Sequence, residues 1–286
     1  MITRVALAAL ALATLGAAPP PSTCTGDPRI AAAADAWTAR REQPPLALPL
    51  EHATCFRDAL LVRIRPSLGP VIGYKVGAYT KAARATFGTQ EPAVGVLRRG
   101  MMLPKGAPVP ARYGFAPVAE ADLLLVVRDA GINRAETRED IYRHLRGWRP
   151  FVELPDNHYP ASVTPDFARL TALDVNARAG VMASEVPLAP GPAGAAALAG
   201  LTAEIAVATP SGVERRSVRI SEVLGDPVEI VRAARDLLRR EGKSLRAGDV
   251  ISLGSLGPAH VPTPGERFRI DYTVGTRIAG ITVTFS

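Results

Sequence analysis

The sequence has few cysteines and lacks the short motifs of several common catalytic and nucleotide-binding sites. Its two cysteines, Cys24 and Cys55, stand in no CxxC pair and in no cluster with histidine, which argues against a structural zinc site. No GxSxG, GxGxxG or P-loop pattern occurs, so neither a nucleophile elbow nor a nucleotide cradle is indicated. The cysteines leave two alternatives open: a disulfide formed in an oxidising compartment, or a buried Cys55 with Cys24 in a flexible tail.

Lysine is also scarce, although the chain is basic. Of the 34 basic residues only four are lysine, namely Lys75, Lys81, Lys105 and Lys243. The formal net charge is +7, but the arginine-rich stretches 134–149 and 232–246 also carry acidic residues. Such mixed stretches are typical of solvated helix faces, whereas a nucleic-acid site needs a concentrated basic stripe. We therefore predict no nucleic-acid partner, and binding of anionic polymers is the least favoured hypothesis.

Long apolar runs are missing except near the N-terminus. A short positive segment ends at Arg4, residues 5–15 are apolar, and small residues follow at 16–18. This is the pattern of a secretory signal peptide, which we assign to residues 1–20 without fixing the cleavage position. The apolar stretch is too short to span a bilayer. We expect a periplasmic or secreted protein whose mature chain has no membrane span.

The rest of the composition is that of a folded chain, with 47% hydrophobic and 21% charged residues. The length of 286 residues suits one large domain or two small ones.

Helix signals come first along the chain, and short strands with turn residues between them dominate from residue 71 onward. The predicted helices include 27–42, 50–64, 137–146 and 226–241, and the Gly/Ala/Pro-rich stretch 189–200 is predicted to be a loop. The predicted strands are 71–76, 118–127, 151–154, 180–186, 202–209, 213–220, 250–253, 268–274 and 278–285. This order predicts an α+β fold, with a small helical N-terminal region at 27–69 and a β-rich domain at 70–286.

Two acidic residues on one predicted strand are the clearest sign of chemistry. Glu120 and Asp122 alternate with apolar residues, so both side chains point to the same face of the strand. Two adjacent carboxylates repel each other and are costly to bury unless a cation compensates them, and oxygen ligands favour Mg²⁺, Mn²⁺ or Ca²⁺. Glu153 on the next strand is the candidate third ligand, and Asp156 competes with it but follows Pro155. The alternative is a strand end where both acids face water.

A lysine lies within another predicted strand, between two glycines. Lys75 stands in the segment Gly73–Gly77, whereas most cations of this chain are arginine. A lysine on a buried strand can pair with a charge, transfer a proton or bind an anion. The alternative is a lysine on an outward-facing position of the strand.

Among the four histidines only His158 follows the acidic strands closely enough to approach a pocket; His52 and His144 are predicted on helix surfaces.

Together these motifs resemble the 2-keto-4-pentenoate hydratase group, in the hydratase-decarboxylase branch of the fumarylacetoacetate hydrolase superfamily. The resemblance runs from about residue 50 to the C-terminus and rests on the order and spacing of several short segments. Those segments are Gly73–Gly77, Glu120-x-Asp122, Glu153, Gly225–Pro227, Leu245–Asp249, Gly254–Ser255, Pro264–Glu266 and the terminal strand 281–285.

The resemblance implies a mixed β-roll of the fumarylacetoacetate hydrolase type, with a helical N-terminal region and usually a homo-oligomeric assembly. It implies that 70–286 is the catalytic domain and that three carboxylates hold Mg²⁺ or Mn²⁺, which fall on Glu120, Asp122 and Glu153. Lys75 becomes the catalytic lysine, and Lys75, Asn176 and Ser255 become substrate-binding residues. The chain departs from the family pattern by Asp122 in place of the usual glutamate, by Val118 in place of arginine and by Val175 in place of aspartate.

The function implied is that of a lyase acting on a small 2-keto or 2-hydroxydienoic acid. Such an acid can chelate a divalent ion through its carboxylate and keto oxygens, and the ion then stabilises an enolate. We expect a hydratase of the 2-keto-4-pentenoate hydratase type. The alternatives are an exported, non-catalytic protein that binds small carboxylates on the same scaffold, and a decarboxylase or C–C hydrolase of the same superfamily.

Overall fold

The computed structural model describes residues 24–286, so the predicted signal peptide at 1–20 lies outside the described residues. Two helices open this part of the chain. Helix α1, Pro28–Ala39, begins where Asp27 accepts a hydrogen bond from the Arg29 amide and Pro28 takes the first helical position. Helix α2 is Leu50–Leu68, so it ends four residues beyond the predicted end at residue 64. Pro66 lies in its last turn. A proline there removes only one helical hydrogen bond, and the Ser67 hydroxyl donates to the Ile64 carbonyl nearby.

The cysteines form a disulfide that ties the start of the described chain to α2. Cys24 and Cys55 are bonded, with their Cα atoms 5.7 Å apart. Of the two alternatives left open by the sequence, the structure therefore has the disulfide. Since Cys24 precedes α1 and Cys55 lies within α2, the bond closes a loop that contains the whole of α1.

The larger of two sheets carries the acidic strand. Its strands are β1 (Val71–Gly77), β2 (Ala93–Arg98), β3 (Glu120–Val127), β4 (Leu145–Leu154), β5 (Ala179–Met182), β6 (Val186–Pro187) and β9 (Val250–Ser252). Their order is β2-β1-β9-β3-β4-β5, and β6 pairs with β4. The sheet is mixed, because β1 and β9 are parallel while the other pairs are antiparallel.

The second sheet is antiparallel and has the order β11-β10-β7-β8. Its strands are β7 (Thr202–Thr209), β8 (Gly212–Arg219), β10 (Arg267–Val274) and β11 (Arg277–Thr284). The predicted hairpin turn between β7 and β8 is confirmed, since Thr209 pairs with Gly212. The predicted α+β fold with a mixed sheet is also confirmed.

Six further α-helices lie between the strands of the described residues 24–286. They are α3 (Lys81–Phe87), α4 (Arg138–Arg143), α5 (Phe167–Ala172), α6 (Gly191–Ala199), α7 (Ile220–Leu224) and α8 (Pro227–Arg240). The prediction of a loop at 189–200 is wrong, because this stretch contains α6. The signal for a loop was its glycine and proline content, but Pro190 and Gly191 stand at the start of the helix and five alanines, the best helix formers, follow. Strand β4 also begins six residues earlier than predicted, at Leu145.

The main apolar core lies between the two sheets and also includes residues of the N-terminal helices. Trp148 of β4 meets Tyr272 of β10 edge to face, with ring centroids 5.6 Å apart. Phe56 and Leu60 of α2 belong to the same cluster of buried side chains. The division between 27–69 and 70–286 stays a prediction. None of the helices in residues 24–286 is both long and apolar enough to cross a bilayer.

Candidate active site

The charged site is on the face of the larger sheet that looks away from the main core. Glu120 of β3 stands directly opposite Glu153 of β4 in the antiparallel register. Lys75 of β1 pairs with Ser252 of β9, and Ser252 pairs with Leu124 of β3. Paired residues share a face, and so do residues two apart on a strand. The structure therefore brings the predicted residues Lys75, Glu120, Asp122 and Glu153 to one face, together with Ser252.

Lys75 and Glu153 form a buried ion pair. Both side chains are buried, and the Lys75 Nζ contacts Glu153 Oε1. Burial lowers the pKa of Lys75, but the charges of Glu153 and Glu120 outweigh burial and hold it above its ordinary value. Apart from the ion pair, neither oxygen of Glu153 has a hydrogen-bond partner. A buried carboxylate without hydrogen bonds is costly, so this residue is poised to bind a further cation or donor.

Glu120 carries a perturbed carboxyl group beside this pair. Burial, followed by the charge of Glu153, raises the pKa of Glu120 to about 7, although Lys75 lowers it. Such a pKa lets the carboxyl group exchange a proton near neutral pH, which suits a general acid or base. It also fits a cation site, because a divalent ion would replace the proton and compensate both glutamates.

Asp122 is engaged differently from the two glutamates. Its fully buried carboxylate accepts from the Ser252 hydroxyl and from three backbone amides, at 2.6 Å from Leu123, 3.1 Å from Gly254 and 3.2 Å from Leu253. Burial and the charge of Glu153 raise the pKa of Asp122, while the hydrogen bonds lower it. These contacts bind β3 to the end of β9, so Asp122 has a structural role in this arrangement.

A bound divalent cation fits part of this set. Within residues 24–286, no group of three or more His, Cys, Asp or Glu side chains is arranged as a ready metal site. Of the three predicted ligands, Glu153 contacts Lys75 and Asp122 is hydrogen-bonded to the end of β9. Glu120 and Glu153 face each other and the oxygens of Glu153 lack hydrogen bonds, so these two suit a hard cation. Asp122 could join them only by giving up hydrogen bonds.

A cavity of about 470 Å³ opens where the β3–β4 ladder ends. A bridge between Pro117 and Asp156 continues that ladder, and Val118, two residues before Glu120, lines the cavity. Val118 and Glu120 therefore share a strand face, about 7 Å apart along the chain. The volume lies within the range of about 300–1,000 Å³ that is usual for small-molecule sites. Its walls are mainly apolar, and Asn157 and Asn176 are among its polar residues.

Asn176, which the resemblance assigns to substrate binding, lines this cavity. Its side-chain amide donates to Asn157 Oδ1 at 3.2 Å. The turn that contains Asn176 is unusual, because the backbone of Asp174, Val175 and Asn176 is left-handed, with φ of 57°, 54° and 59°. Consecutive left-handed residues without glycine are rare, and a β-branched residue there is strained.

Two strand glycines leave room for the Asp174–Asn176 turn. A Cβ on Gly77 would overlap Val175 Cγ1. A Cβ on Gly95 would lie 2.6 Å from the Asp174 carbonyl oxygen and 3.0 Å from Lys75 Cγ. The turn that presents Asn176 is therefore seated on β1 and β2, beside the lysine. Glycine is therefore needed at 77 and 95, because a side chain at either position would clash with this turn or with Lys75.

Two other residues named from the sequence make hydrogen bonds outside this charged cluster. Ser255 donates to the Gly257 carbonyl at 2.7 Å and does not line the cavity, whereas Ser252, which the motifs did not single out, contacts Asp122. The contact between Ser252 and Asp122 can be recognised only from the strand order, which places β9 next to β3. Asp156 accepts from the amides of Phe115 and Ala116, at 3.0 and 2.8 Å, so it closes a loop and does not compete with Glu153.

His158 is buried beneath the cavity wall, although its neighbours Asn157 and Tyr159 line the cavity. Neither ring nitrogen has a hydrogen-bond partner, and burial lowers the pKa of His158 to about 4. Asp156, 3.7 Å away, raises this pKa but does not compensate for burial. The structure thus gives His158 a place in the core rather than in the pocket.

His158 is expected to make the protein less stable as the pH falls from about 6.5 to about 4. In that window the unfolded chain binds a proton at this histidine and the folded chain does not, so unfolding is favoured. The difference in pKa corresponds to about 3–4 kcal/mol of unfolding free energy over the whole window, of which about half falls between pH 7 and pH 5. Urea unfolding at pH 7 and pH 5 measures it. His158→Asn, which tolerates the local φ of 65°, should lose most of the slope; an unchanged slope would contradict this assignment.

Comparisons with known proteins agree with this description. No protein-family model matches the chain. It is 25% identical over 209 residues to 2-keto-4-pentenoate hydratase 2 of Dechloromonas aromatica (strain RCB), covering 70% of this chain and 73% of the relative. Hydratase 1 of the same strain is 24% identical over 206 residues, with the same two coverages.

The fold is similar to that of 4-oxalocrotonate decarboxylase from Pseudomonas putida G7, whose structure is complexed with magnesium and adipate. The TM-score is 0.76 at 19% identity, and the match covers 90% of this chain and 97% of that one. A second structure of that decarboxylase, with calcium and acetate, gives a TM-score of 0.69 at 20% identity, covering 84% and 86%.

Fold and site together define a mixed α+β protein with a buried lysine and carboxylates on one sheet face and a cavity nearby, whose lining includes Val118 and Asn176 but none of those charged residues. The resemblance to the fumarylacetoacetate hydrolase superfamily is thereby confirmed. Within that superfamily, the relatives found by sequence are hydratases and the neighbour found by fold is a decarboxylase.

Proposed function

We propose that this protein is a divalent-metal-dependent lyase for small 2-keto or 2-hydroxydienoic acids, most simply a hydratase of the 2-keto-4-pentenoate hydratase type. One observation carries the proposal: Glu120 and Glu153 face each other beside Lys75, on two strands whose ladder ends at a cavity lined by Val118 and Asn176. The relatives named hydratase support it, and the magnesium in the decarboxylase structure supports the choice of a divalent ion.

Glu120 and Glu153 would hold Mg²⁺ or Mn²⁺, and Asp122 would join them if its hydrogen bonds to β9 are exchanged. When bound, the ion supplies Lewis-acid polarisation of the keto acid's oxygens. Lys75 binds the substrate carboxylate through its ammonium group, which the neighbouring acids keep protonated. Asn176 donates or accepts hydrogen bonds in the cavity and orients the substrate.

Proton transfer falls to Lys75. In a hydratase, a 2-hydroxydienoate first becomes a keto acid by moving a proton from its enol oxygen to carbon. Addition of water then gives a 4-hydroxy-2-keto acid. Glu120 is a ligand of the ion in this proposal, so Lys75, which contacts Glu153, would be the group that donates and recovers the proton.

Decarboxylation is the second candidate reaction. The observation that favours it is the fold similarity to 4-oxalocrotonate decarboxylase. The same polarised keto group would accept the electron pair released when CO₂ leaves. An assay of both reactions on one substrate panel separates them, by ultraviolet loss of the dienoate in one case and release of CO₂ in the other.

We also propose that the protein is exported and forms a homo-oligomer. The Cys24–Cys55 disulfide supports export, because disulfides persist mainly in oxidising compartments. Oligomer formation rests on the resemblance alone, and sedimentation measures it. Fractionation of cells with an antibody to the mature chain tests the periplasmic or secreted location.

Thermal unfolding with divalent ions and small acids tests the proposed function. Mg²⁺ or Mn²⁺, with oxalate or pyruvate, should raise the melting temperature, since a ligand at 100 times its Kd stabilises by about 2.7 kcal/mol. For a domain of this size the rise corresponds to about 5–10 °C. Glu120→Gln and Glu153→Gln should abolish the rise, whereas Glu222→Gln, with a side chain 73% exposed, should keep it.

The outcomes separate the hypotheses. A metal-dependent rise followed by turnover of a dienoate or keto acid confirms the enzyme. A rise without turnover over the whole panel indicates the non-catalytic carboxylate binder. No rise with any ion in the wild-type protein overturns the metal site and with it the proposed lyase.

A further inference from the structure

The turn that presents Asn176 begins with a buried aspartate that the chemistry above does not use. Asp174 is 3% exposed and does not itself line the cavity. Aspartate is seldom fully buried unless its carboxyl group is paired or hydrogen-bonded, because burial of a charged or polar group is costly. The contacts of this carboxyl group therefore indicate why an acid stands at this position.

One oxygen of Asp174 is bonded to the edge of the larger sheet. Its Oδ1 accepts a hydrogen bond from the backbone N–H of Val96 at 2.7 Å. Val96 belongs to β2, the outermost strand of that sheet. An edge strand has N–H groups that no neighbouring strand can pair with. The Asp174 side chain supplies an acceptor for one N–H of this edge strand and so ties the turn to β2.

The other oxygen of Asp174 makes no hydrogen bond. Oδ2 is buried and has no partner within the described residues. Burial raises the pKa of Asp174 to about 7, although the charge of Arg57, the Val96 amide and the charge of Lys75 lower it. Near neutral pH the acid is therefore partly protonated, and its neutral form resembles the side-chain amide of asparagine in shape. The directed contact is the Oδ1 acceptor, which an asparagine would keep.

The turn needs support from its surroundings because its backbone is unfavourable. Asp174, Val175 and Asn176 are all left-handed, which residues other than glycine adopt only where the surrounding structure imposes it. The Asp174 carboxyl group bonds to β2, and Val175 packs against Gly77 of β1. Loss of the Asp174 bond removes a directed contact between the turn and the sheet, and it lets the left-handed backbone relax.

The position of the Asn176 side chain depends on how this turn is held. Asn176 donates to Asn157 Oδ1, and its backbone carbonyl accepts from the Asp156 amide at 3.1 Å. Those contacts hold Asn176 to the segment that follows β4, whereas Asp174 holds the same turn to β2. The Asn176 amide is thus fixed from two sides, and Asp174 supplies the contact to the strand that pairs with the strand of Lys75.

We propose that Asp174 is a positioning residue for Asn176: its bond to β2 holds the turn so that the Asn176 amide is presented to the substrate. The inference rests on the proposed function, in which Asn176 orients the substrate in the cavity. It goes beyond that function by assigning a role to a residue that contacts neither substrate nor metal. A residue of this kind acts through Asn176, which separates it from one that only contributes to folding.

Ligand binding by a pair of variants tests this coupling. The protein with Mg²⁺ is titrated calorimetrically with 2-oxopentanoate, a saturated keto acid that offers no double bond for the addition of water. Asn176→Ala should weaken binding by about 10-fold, the ratio for the loss of one hydrogen bond. Asp174→Gly should weaken it similarly, although glycine adopts a φ of 57° freely and relieves the backbone. The double variant should bind no more weakly than Asn176→Ala, because both residues act through one contact.

Two control variants make the test specific. Asp174→Asn keeps an oxygen that accepts from Val96 and tolerates left-handed backbone, so its binding should match that of the wild type. Asp35→Ala changes an exposed acid on α1 and should leave binding unchanged. A purely structural role predicts a different pattern, in which the losses in Asp174→Gly and Asn176→Ala add in the double variant.

Hydrogen exchange of the Val96 amide gives a second measurement. In the wild-type protein, Mg²⁺ with 2-oxopentanoate should slow exchange at Val96 more than at Val283 of β11, because the turn stays on β2 while Asn176 holds the ligand. Equal slowing at both amides would overturn the proposal. This comparison needs no variant, so it decides even if Asp174→Gly folds poorly.

The failures are distinguishable. If the wild-type protein with Mg²⁺ binds neither oxalate nor 2-oxopentanoate, the proposed function fails and this inference fails with it. If both bind and Asn176→Ala weakens 2-oxopentanoate binding but Asp174→Gly does not, the proposed function stands and the role of Asp174 is wrong. An Asn176→Ala variant that binds like the wild type would overturn both the orienting role of Asn176 and the positioning role of Asp174.

Discussion

Replacing Lys75 by methionine is expected to lower the free energy of unfolding by about 3–5 kcal/mol in the absence of divalent ions. The ammonium group is the cation in direct contact with Glu153, whose oxygens have no hydrogen bonds, and its charge also lowers the pKa of Glu120. Its removal leaves buried like charges facing each other, which is the costly way to break a buried ion pair. Urea unfolding at pH 8, where unfolded carboxyl groups are ionised, measures the loss.

The control for Lys75→Met is Lys105→Met, which changes an exposed lysine and should leave the unfolding curve almost unaltered. Mg²⁺ should restore part of the lost stability in Lys75→Met, because a divalent ion at Glu120 and Glu153 compensates the same charges. Turnover should stay lost, by about 10²- to 10⁴-fold, if the lysine takes part in the reaction. A variant as stable as the wild type without metal would show that the pair contributes no net stability.

Reducing the Cys24–Cys55 disulfide is expected to lower the free energy of unfolding by about 3–4 kcal/mol. The two cysteines are 31 residues apart, and a closed loop of that length removes about this much entropy from the unfolded chain. The bond joins the segment before α1 to α2, whose Phe56 and Leu60 belong to the main core. Comparison of urea midpoints with and without reductant measures the effect on the mature protein.

The matched control for the disulfide is the double variant Cys24→Ser plus Cys55→Ser. It should unfold like the reduced wild-type protein and should not respond to reductant. Equal midpoints for oxidised and reduced wild type would contradict the expected stabilisation. A reduced protein that keeps its metal and oxalate response would further show that the bond supports the fold without shaping the site.

Much of the site followed from alternation along single strands. The spacing of Glu120 and Asp122 predicts a shared face, and the structure confirms it because β3 is regular from Glu120 to Val127. Glu153 was assigned from the next acidic residue on a strand, and it lies directly opposite Glu120. Asn176 was carried over from the family pattern, and it lines the cavity.

Other features could not be obtained in this way. Ser255 was expected in the pocket, but Ser252 is the serine that contacts Asp122, because β9 is inserted between β1 and β3. A sequence pattern does not fix which strand enters that gap. The helix at 191–199 was missed because glycine and proline suggested a loop, although the same residues also stand at helix starts. Arg169 belongs to no sequence motif, and only the structure places it in the cavity wall.

The sequence by itself determined the periodic properties of this protein: its α+β class, its main strands, the common face of the acidic pair and the resemblance that links them. These follow from neighbours along the chain, whose side-chain directions depend on local backbone geometry. The tertiary structure decided which distant charges meet. It brought Lys75 to Glu153, engaged Asp122 with β9 and placed Arg169 in the cavity, because strand order and packing depend on contacts between distant parts of the chain.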